Sequence, residues 1–235
     1  MWIANAGSIR EQAALDRLDA TERERACRFR RPQDAHRFAA GRLLLRTALS
    51  DYLGETGEEL RFESDTRGKL RLTRPWPEHP IHFSLSHAGE VLVVAIASRR
   101  VGVDVERVRP LPGLDAVARV CFTASELLLL GATETAERHE LFFTMWTRKE
   151  AWAKALGVGL GAPLPSTTPD FPAGWSGAPL VCPAGYRAAV VVEGALTEVQ
   201  YVGSGSNASA CAATHRSPRL TPDSIPMCTA LDRGA

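Results

Sequence analysis

Two carboxylates alternate with valines in the segment 101–106, which reads VGVDVE. Side chains on a β-strand point alternately to opposite faces. We therefore expect Asp104 and Glu106 to share one face, with the valines buried on the other. Neighbouring carboxylates repel each other unless solvent or a cation relieves them, and carboxylate oxygen is a preferred ligand of Mg²⁺. The segment predicts either a magnesium site or a solvated polar strand face.

A third carboxylate, Glu150, precedes Lys154 by four residues in the segment 146–154, which reads WTRKEAWAK. On a helix this spacing places both side chains on one face, where an exposed ion pair is the common outcome. The two tryptophans of the segment instead indicate a largely buried helix, and charged pairs in such places often have a function. We expect Glu150 to join the carboxylates of 101–106 and Lys154 to face the same phosphates.

Further donors come from the N-terminal part of the chain. Ser86 and His87 end a strand-like segment, but adjacent strand residues point in opposite directions and no G-x-S-x-G motif is present, so a hydrolase triad is not expected. Residues 21–46 contain eight arginines and three acidic residues, and guanidinium groups are good partners for a phosphomonoester. Without a P-loop, these residues predict Mg²⁺-dependent transfer or hydrolysis at a phosphate.

The elements that carry these residues alternate between helices and short strands. Residues 21–53 are predicted to be helical, with a capping box from Thr21 to Glu24, a break at Pro32, and separate apolar and basic faces. A second long helix is predicted near 139–156. Most predicted strands are joined by turns too short for a parallel crossover. We therefore predict an α+β fold with small, mostly antiparallel sheets.

Composition excludes several classes of protein. The 235 residues include 28 basic and 27 acidic side chains, so no overall charge favours nucleic acid or a membrane surface. No apolar run approaches the ~20 residues of a membrane-spanning helix, and the first residues do not predict a signal peptide. Five widely spaced cysteines favour reduced thiols and a cytoplasmic location. Residues 203–235 are rich in Gly, Pro, Ser and Thr, and we expect them to be disordered.

Three segments, in this order, resemble the surfactin-type 4′-phosphopantetheinyl transferases: 83–87 (FSLSH), 101–106 and 143–154. Weaker similarity lies in 28–46 and at Phe122–Thr123, so the resemblance spans about residues 20–195. It implies two pseudo-twofold-related α+β halves, 1–103 and 104–202, with coenzyme A and Mg²⁺ between them. It also implies transfer of 4′-phosphopantetheine from coenzyme A to a serine of an acyl or peptidyl carrier protein, releasing 3′,5′-ADP.

The resemblance also implies roles for individual residues. Mg²⁺ would be held by Asp104, Glu106 and Glu150. Glu150 would in addition be the general base, and Lys154 would offset charge on the pyrophosphate. The 3′-phosphate would be bound by His87, Arg42 and Arg25, and the nucleotide pocket would be lined by Ser86, Arg67 and Lys69.

Two other functions use the same residues. One is a Mg²⁺-dependent phosphodiesterase or pyrophosphohydrolase acting on a nucleotide-containing substrate. The other is a carrier-binding module without catalysis, which the presence of Asp104, Glu150 and Lys154 argues against. Because one chain with two halves can complete the site, we expect a monomer, with no nucleic acid or membrane partner. The sequence does not identify the carrier protein or its pathway.

Overall fold

A computed structural model describes residues 1–54, 57, 60–66, 68–73, 80–158, 164–168 and 170–203. The tail predicted to be disordered lies outside these residues, apart from residue 203. The strands are β1 (Trp2–Asn5), β2 (Phe62–Ser64), β3 (Leu70–Leu72), β4 (His82–Ala88), β5 (Val91–Ala97), β6 (Val101–Arg107), β7 (Trp175–Pro179), β8 (Tyr186–Glu193) and β9 (Val202–Gly203). The helices are α1 (Glu11–Asp16), α2 (Ala20–Cys27), α3 (Pro32–Leu53), α4 (Leu114–Cys121), α5 (Ala124–Ala132) and α6 (Thr135–Leu156).

The strands form three small sheets, with orders β4-β5-β1-β9, β2-β3 and β6-β8-β7. All pairs are antiparallel except β1 with β9, which is parallel. The predicted α+β class with mostly antiparallel sheets is therefore confirmed. The boundary that we predicted after residue 103 falls inside β6, and β9 extends the sheet of the first half. Strand β9 of the second half thus pairs with β1 of the first.

The two halves repeat one order of elements: a strand, two short helices and a helix of 22 residues. Each long helix ends at a glycine in the left-handed region, Gly54 (φ 69°) and Gly157 (φ 73°). The second short helix of each half begins with a capping box. This internal repetition is what a pseudo-twofold arrangement requires.

The capping box of α2 differs from the prediction. Asp19, not Thr21, is the N-cap residue, and its side chain accepts a hydrogen bond from the amide of Glu22 at 2.9 Å. Glu22 accepts one from the amide of Asp19 at 3.1 Å. The spacing of three residues between the two members of the box was predicted correctly. The box itself lies two residues earlier in the chain than the predicted pair Thr21–Glu24. The break at Pro32 is confirmed, because Pro32 opens α3.

Helix α6 packs closely against β6, which places the predicted site between the two. The valines of β6 are buried in a core shared with β5 and β8. Gly102 lies on the opposite face, where an added Cβ would lie 1.9 Å from the carbonyl oxygen of Ala151. Asp104 shares that face and is buried, so the alternative of a solvated strand face is wrong. Within the described ranges, no helix combines the length and apolarity needed to span a bilayer.

Candidate active site

The centre of the site is a cluster of three side chains from both halves. The Lys154 ammonium donates to Asp104 Oδ1 at 2.7 Å and to Ser86 Oγ at 2.8 Å. The Ser86 hydroxyl donates to the same carboxylate oxygen at 2.8 Å. Strand β4 of the first half and β6 and α6 of the second half thus meet here. Asp104 Oδ2 is buried and makes no hydrogen bond with any described residue, which leaves one carboxylate oxygen for another ligand.

The remaining two carboxylates lie in the electrostatic field of this cluster. Burial, and then repulsion from Asp104, raise the pKa of Glu150 to about 7, while Lys154 opposes the rise. The same two causes raise the pKa of Glu106, while the nearby Trp146 indole and Lys154 oppose the rise. Such shifts occur where like charges are gathered in a partly desolvated place. The charge of Asp104 thus acts on both Glu106 and Glu150, although the two come from different elements.

The predicted partners of a phosphate line one cavity of about 340 Å³, among them His87, the residue after Ser86 in β4. Its walls include Arg25, Arg37, Arg42 and His87. Burial lowers the pKa of Arg42 to about 10, so its guanidinium stays cationic at neutral pH. Partial burial and the nearby cation of Arg37 lower the pKa of His87, which favours a neutral imidazole. The cavity has the charge and the donors that a phosphomonoester requires.

Ser86 and Lys69, which were predicted to line a nucleotide pocket, make different contacts. The hydroxyl of Ser86 belongs to the Ser86–Asp104–Lys154 cluster. Lys69 lines a neighbouring cavity of about 230 Å³ together with Lys154, but its ammonium caps α6 by donating to the carbonyl oxygens of Lys154 at 2.5 Å and of Ala155 at 3.2 Å. Arg67 lies outside the described residues.

Three buried ion pairs among the described residues were not predicted. Arg42 and Arg46, which we expected on a basic face of α3, are 5% and 4% exposed and both pair with Glu22. In the second half, Lys149 pairs with Glu126 at 3.0 Å, and both side chains are fully buried. The acidic residue of each capping box could have indicated these pairs. Its carboxylate is buried against the long helix, and a buried carboxylate needs a cation beside it.

The carboxylates of Asp104, Glu106 and Glu150 are oxygen ligands of the kind that Mg²⁺ prefers. Across the residues that the structure describes, no three Asp, Glu, His or Cys side chains are already gathered closely enough to enclose a metal ion. Mg²⁺, however, commonly takes only one or two protein carboxylates and completes its octahedron with water and substrate phosphates. The unpaired, buried Oδ2 of Asp104 is a ligand of this kind, and Glu106 and Glu150 are hard oxygen donors coupled to it.

Comparison with known proteins gives a consistent result for both halves. Residues 7–99 match the family described as "4′-phosphopantetheinyl transferase, N-terminal", and residues 100–201 match the 4′-phosphopantetheinyl transferase superfamily. The two matches meet in the turn between β5 and β6.

Individual relatives agree with the family matches. The 4′-phosphopantetheinyl transferase HetI of Nostoc sp. is 36% identical over 144 residues, which cover 61% of each chain. A 4′-phosphopantetheinyl transferase of Bacillus subtilis is 32% identical over 157 residues, covering 66% of this chain and 67% of the relative. The transferase Sfp of Bacillus subtilis (strain 168) is 32% identical over 150 residues, covering 63% and 64%. The chain thus spans about two thirds or slightly less of the length of these relatives.

The fold and the site define the class of protein: two similar α+β halves, a Ser86–Asp104–Lys154 cluster built from both, and a cationic cavity lined by the first half. The chain belongs to the 4′-phosphopantetheinyl transferase superfamily.

Proposed function

We propose that this protein transfers 4′-phosphopantetheine from coenzyme A to a serine hydroxyl of an acyl or peptidyl carrier protein. The serine oxygen forms a bond to the phosphorus that bears pantetheine, the bond from that phosphorus to the bridging oxygen breaks, and 3′,5′-ADP leaves. The observation that carries the proposal is the Ser86–Asp104–Lys154 cluster, together with an arginine-lined cavity of about 340 Å³ that His87, the residue after Ser86 in β4, also lines. An acidic centre and a separate cationic cavity suit a ligand with a diphosphate and a separate phosphomonoester.

Glu150 is the candidate general base. Its pKa of about 7 means that a large fraction is ionised at neutral pH while the carboxylate is basic enough to accept the serine proton. Lys154 supplies a cation that can stabilise the leaving diphosphate oxygen as charge develops there. Mg²⁺, which Asp104, Glu106 and Glu150 would hold, adds charge stabilisation on the diphosphate when it is bound.

The partners follow from the same roles. Arg42, Arg25 and His87 are proposed to bind the 3′-phosphate of coenzyme A, and Lys69 the edge of the nucleotide. Because one chain supplies both the cavity and the acidic cluster, we propose that the protein acts as a monomer. We also propose a cytoplasmic location, which the wide spacing of the five cysteines favours.

Intact-mass analysis of an apo carrier protein tests the reaction directly. The protein is incubated with coenzyme A, Mg²⁺ and the carrier, and the expected result is a carrier heavier by one phosphopantetheine, together with 3′,5′-ADP. Breakdown of coenzyme A without carrier modification would instead indicate a phosphodiesterase or pyrophosphohydrolase. If coenzyme A and several apo carriers all remain unchanged, the proposal is wrong.

Glu150→Gln serves as the mechanistic variant in this assay. It removes the proton acceptor and keeps the shape of the side chain, so we expect turnover to fall about 10²-fold or more. Glu137→Gln is the matched control, because Glu137 lies in the first turn of the same helix and is exposed. Equal turnover of the two variants would remove Glu150 from the mechanism.

A further inference from the structure

Glu22 lies between two guanidinium groups of α3. Its side chain is 7% exposed, with Oε2 2.7 Å from Arg46 Nη2 and Oε1 3.2 Å from Arg42 Nε. Arg46 has further partners, since its Nη1 donates to the carbonyl oxygens of Leu60 at 2.5 Å and Gly57 at 3.3 Å. Both terminal nitrogens of Arg46 are therefore held in the interior, although its Nε has no hydrogen-bond partner among the described residues.

Arg42 is held differently. Its guanidinium carbon lies 5.0 Å from the ring centroid of Phe38 and 5.9 Å from that of Phe62, so aromatic faces restrict it. Nε and Nη1 are both buried and make no hydrogen bond with any described residue, so the contact of Nε with Glu22 Oε1 is an ion pair without hydrogen-bond geometry. Such open donors are costly unless something pairs with them. Arg42 lines the cationic cavity, so the open donors belong to a guanidinium that can meet a ligand there.

The equivalent pair in the second half has no open donor of this kind. Lys149 Nζ lies 3.0 Å from Glu126 Oε2 and donates to the carbonyl oxygens of Leu164 at 3.3 Å and Pro165 at 3.1 Å. Its three N–H donors are thus matched by three acceptors. In the second half, the capping-box carboxylate of Glu126 therefore pairs with a cation whose donors are all used. In the first half, the equivalent carboxylate of Glu22 pairs with Arg42, which has buried donors without a partner among the described residues.

We propose that Glu22 is a positioning residue that fixes the Arg42 guanidinium so that its remaining donors meet a phosphomonoester in the cavity. The inference rests on the proposed function, in which that group is the 3′-phosphate of coenzyme A. Recognition of phosphate by arginine depends on the orientation of the planar guanidinium. Without its anchor, Arg42 would rotate among several side-chain conformers, and ordering it on binding would cost affinity.

Glu22→Gln tests the inference with little change of shape. The amide oxygen can still accept the amide hydrogen of Asp19, but the charge that anchors Arg42 is lost. Binding is measured by calorimetry for adenosine 3′,5′-bisphosphate and for 5′-AMP, without Mg²⁺. We expect affinity for the bisphosphate to fall about tenfold and affinity for 5′-AMP to fall much less. The ratio of kcat/KM for coenzyme A over 3′-dephospho-coenzyme A should decrease by a similar factor.

Glu126→Gln is the matched control for lost stability. It removes the equivalent buried carboxylate, so its Tm should fall, while the preference for the bisphosphate over 5′-AMP should stay at the wild-type value. Glu22→Asp keeps the charge on a side chain shorter by one methylene, so its preference should lie between those of Glu22→Gln and the wild type. If Glu22→Gln does not fold, a preference of Glu22→Asp equal to that of the wild type overturns the inference. An unchanged preference in Glu22→Gln, or an equal loss in Glu126→Gln, overturns the inference.

The wild-type protein separates this inference from the proposed function. If it does not modify a carrier protein, the proposed function fails. If it modifies the carrier and prefers coenzyme A over 3′-dephospho-coenzyme A, but Glu22→Gln has the same preference, only the positioning role is refuted.

Discussion

The contact between β6 and α6 makes Gly102 the most sensitive backbone position near the site. A Cβ at residue 102 would lie 1.9 Å from the carbonyl oxygen of Ala151 and 2.5 Å from the amide nitrogen of Ala155. Both are backbone atoms of a buried helix, so no side chain can rotate away. We therefore predict that Gly102→Ala forces α6 away from β6.

The size of the effect follows from the distance. Moving from 1.9 Å to the 3.4 Å at which ordinary contact begins requires a displacement of about 1.5 Å. Overpacking typically costs about 1–3 kcal/mol and sometimes more, and a clash between two backbone segments belongs at the upper end. We expect the free energy of unfolding to fall by about 3 kcal/mol or more. Since Lys154 on α6 must reach Asp104 on β6, turnover of the folded fraction should fall about 10²-fold.

Urea denaturation measures the first effect and the carrier-modification assay measures the second. Gly131→Ala is the control, because Gly131 is exposed in α5 and an added Cβ would meet nothing within 4 Å. Replacing this helical glycine should leave turnover unchanged and should raise the free energy of unfolding by at most about 0.5–1 kcal/mol. If Gly102→Ala stays within about 0.5 kcal/mol of the wild type, the close packing of α6 on β6 is refuted.

Three further predictions concern charged side chains. Arg42→Ala should lower kcat/KM for coenzyme A about tenfold or more and kcat/KM for 3′-dephospho-coenzyme A much less. Equal decreases for the two substrates would contradict the contact with the 3′-phosphate. Lys154→Ala should lower the free energy of unfolding by about 1–3 kcal/mol, and adding Asp104→Ala should recover part of the loss; a purely additive double variant would show no coupling. Burial alone would raise the pKa of Glu126, but hydrogen bonds from Thr123, Thr167 and Lys149 lower it below its ordinary value of 4.5. The wild type should therefore lose this contribution to stability as pH falls below about 4.5, so the Tm deficit of Glu126→Gln should shrink there, and a constant deficit would refute the assignment.

Much of the site could be predicted because periodicity fixes which side chains share a face. Alternation along 101–106 predicts that Asp104 and Glu106 lie opposite the buried valines, and the valines are indeed in the core. The segment 146–154 predicts a buried helix, and the centre of α6 is buried. These predictions depend only on local geometry, which a sequence specifies directly.

The ion pairs could not be predicted in the same way. Glu150 and Lys154 share a helical face, yet Lys154 pairs with Asp104 instead, because a buried carboxylate on β6 gains more from the cation than a partly exposed one on the same helix. Arg42 and Arg46 were predicted to be a basic surface, but Glu22 draws them inside. Partner choice among charges depends on distances between elements, and a single sequence does not state those distances.

The sequence alone therefore determined the α+β class, the two long helices and the residue types of an acidic and a cationic site, since local geometry and chemistry depend on neighbours along the chain. Only the tertiary structure decided that Ser86, Asp104 and Lys154 share one hydrogen-bonded cluster and that Arg42 keeps buried donors without a hydrogen-bond partner among the described residues. The reason is physical. Desolvation and Coulomb energy depend on which distant segments exclude water together, and packing sets that arrangement.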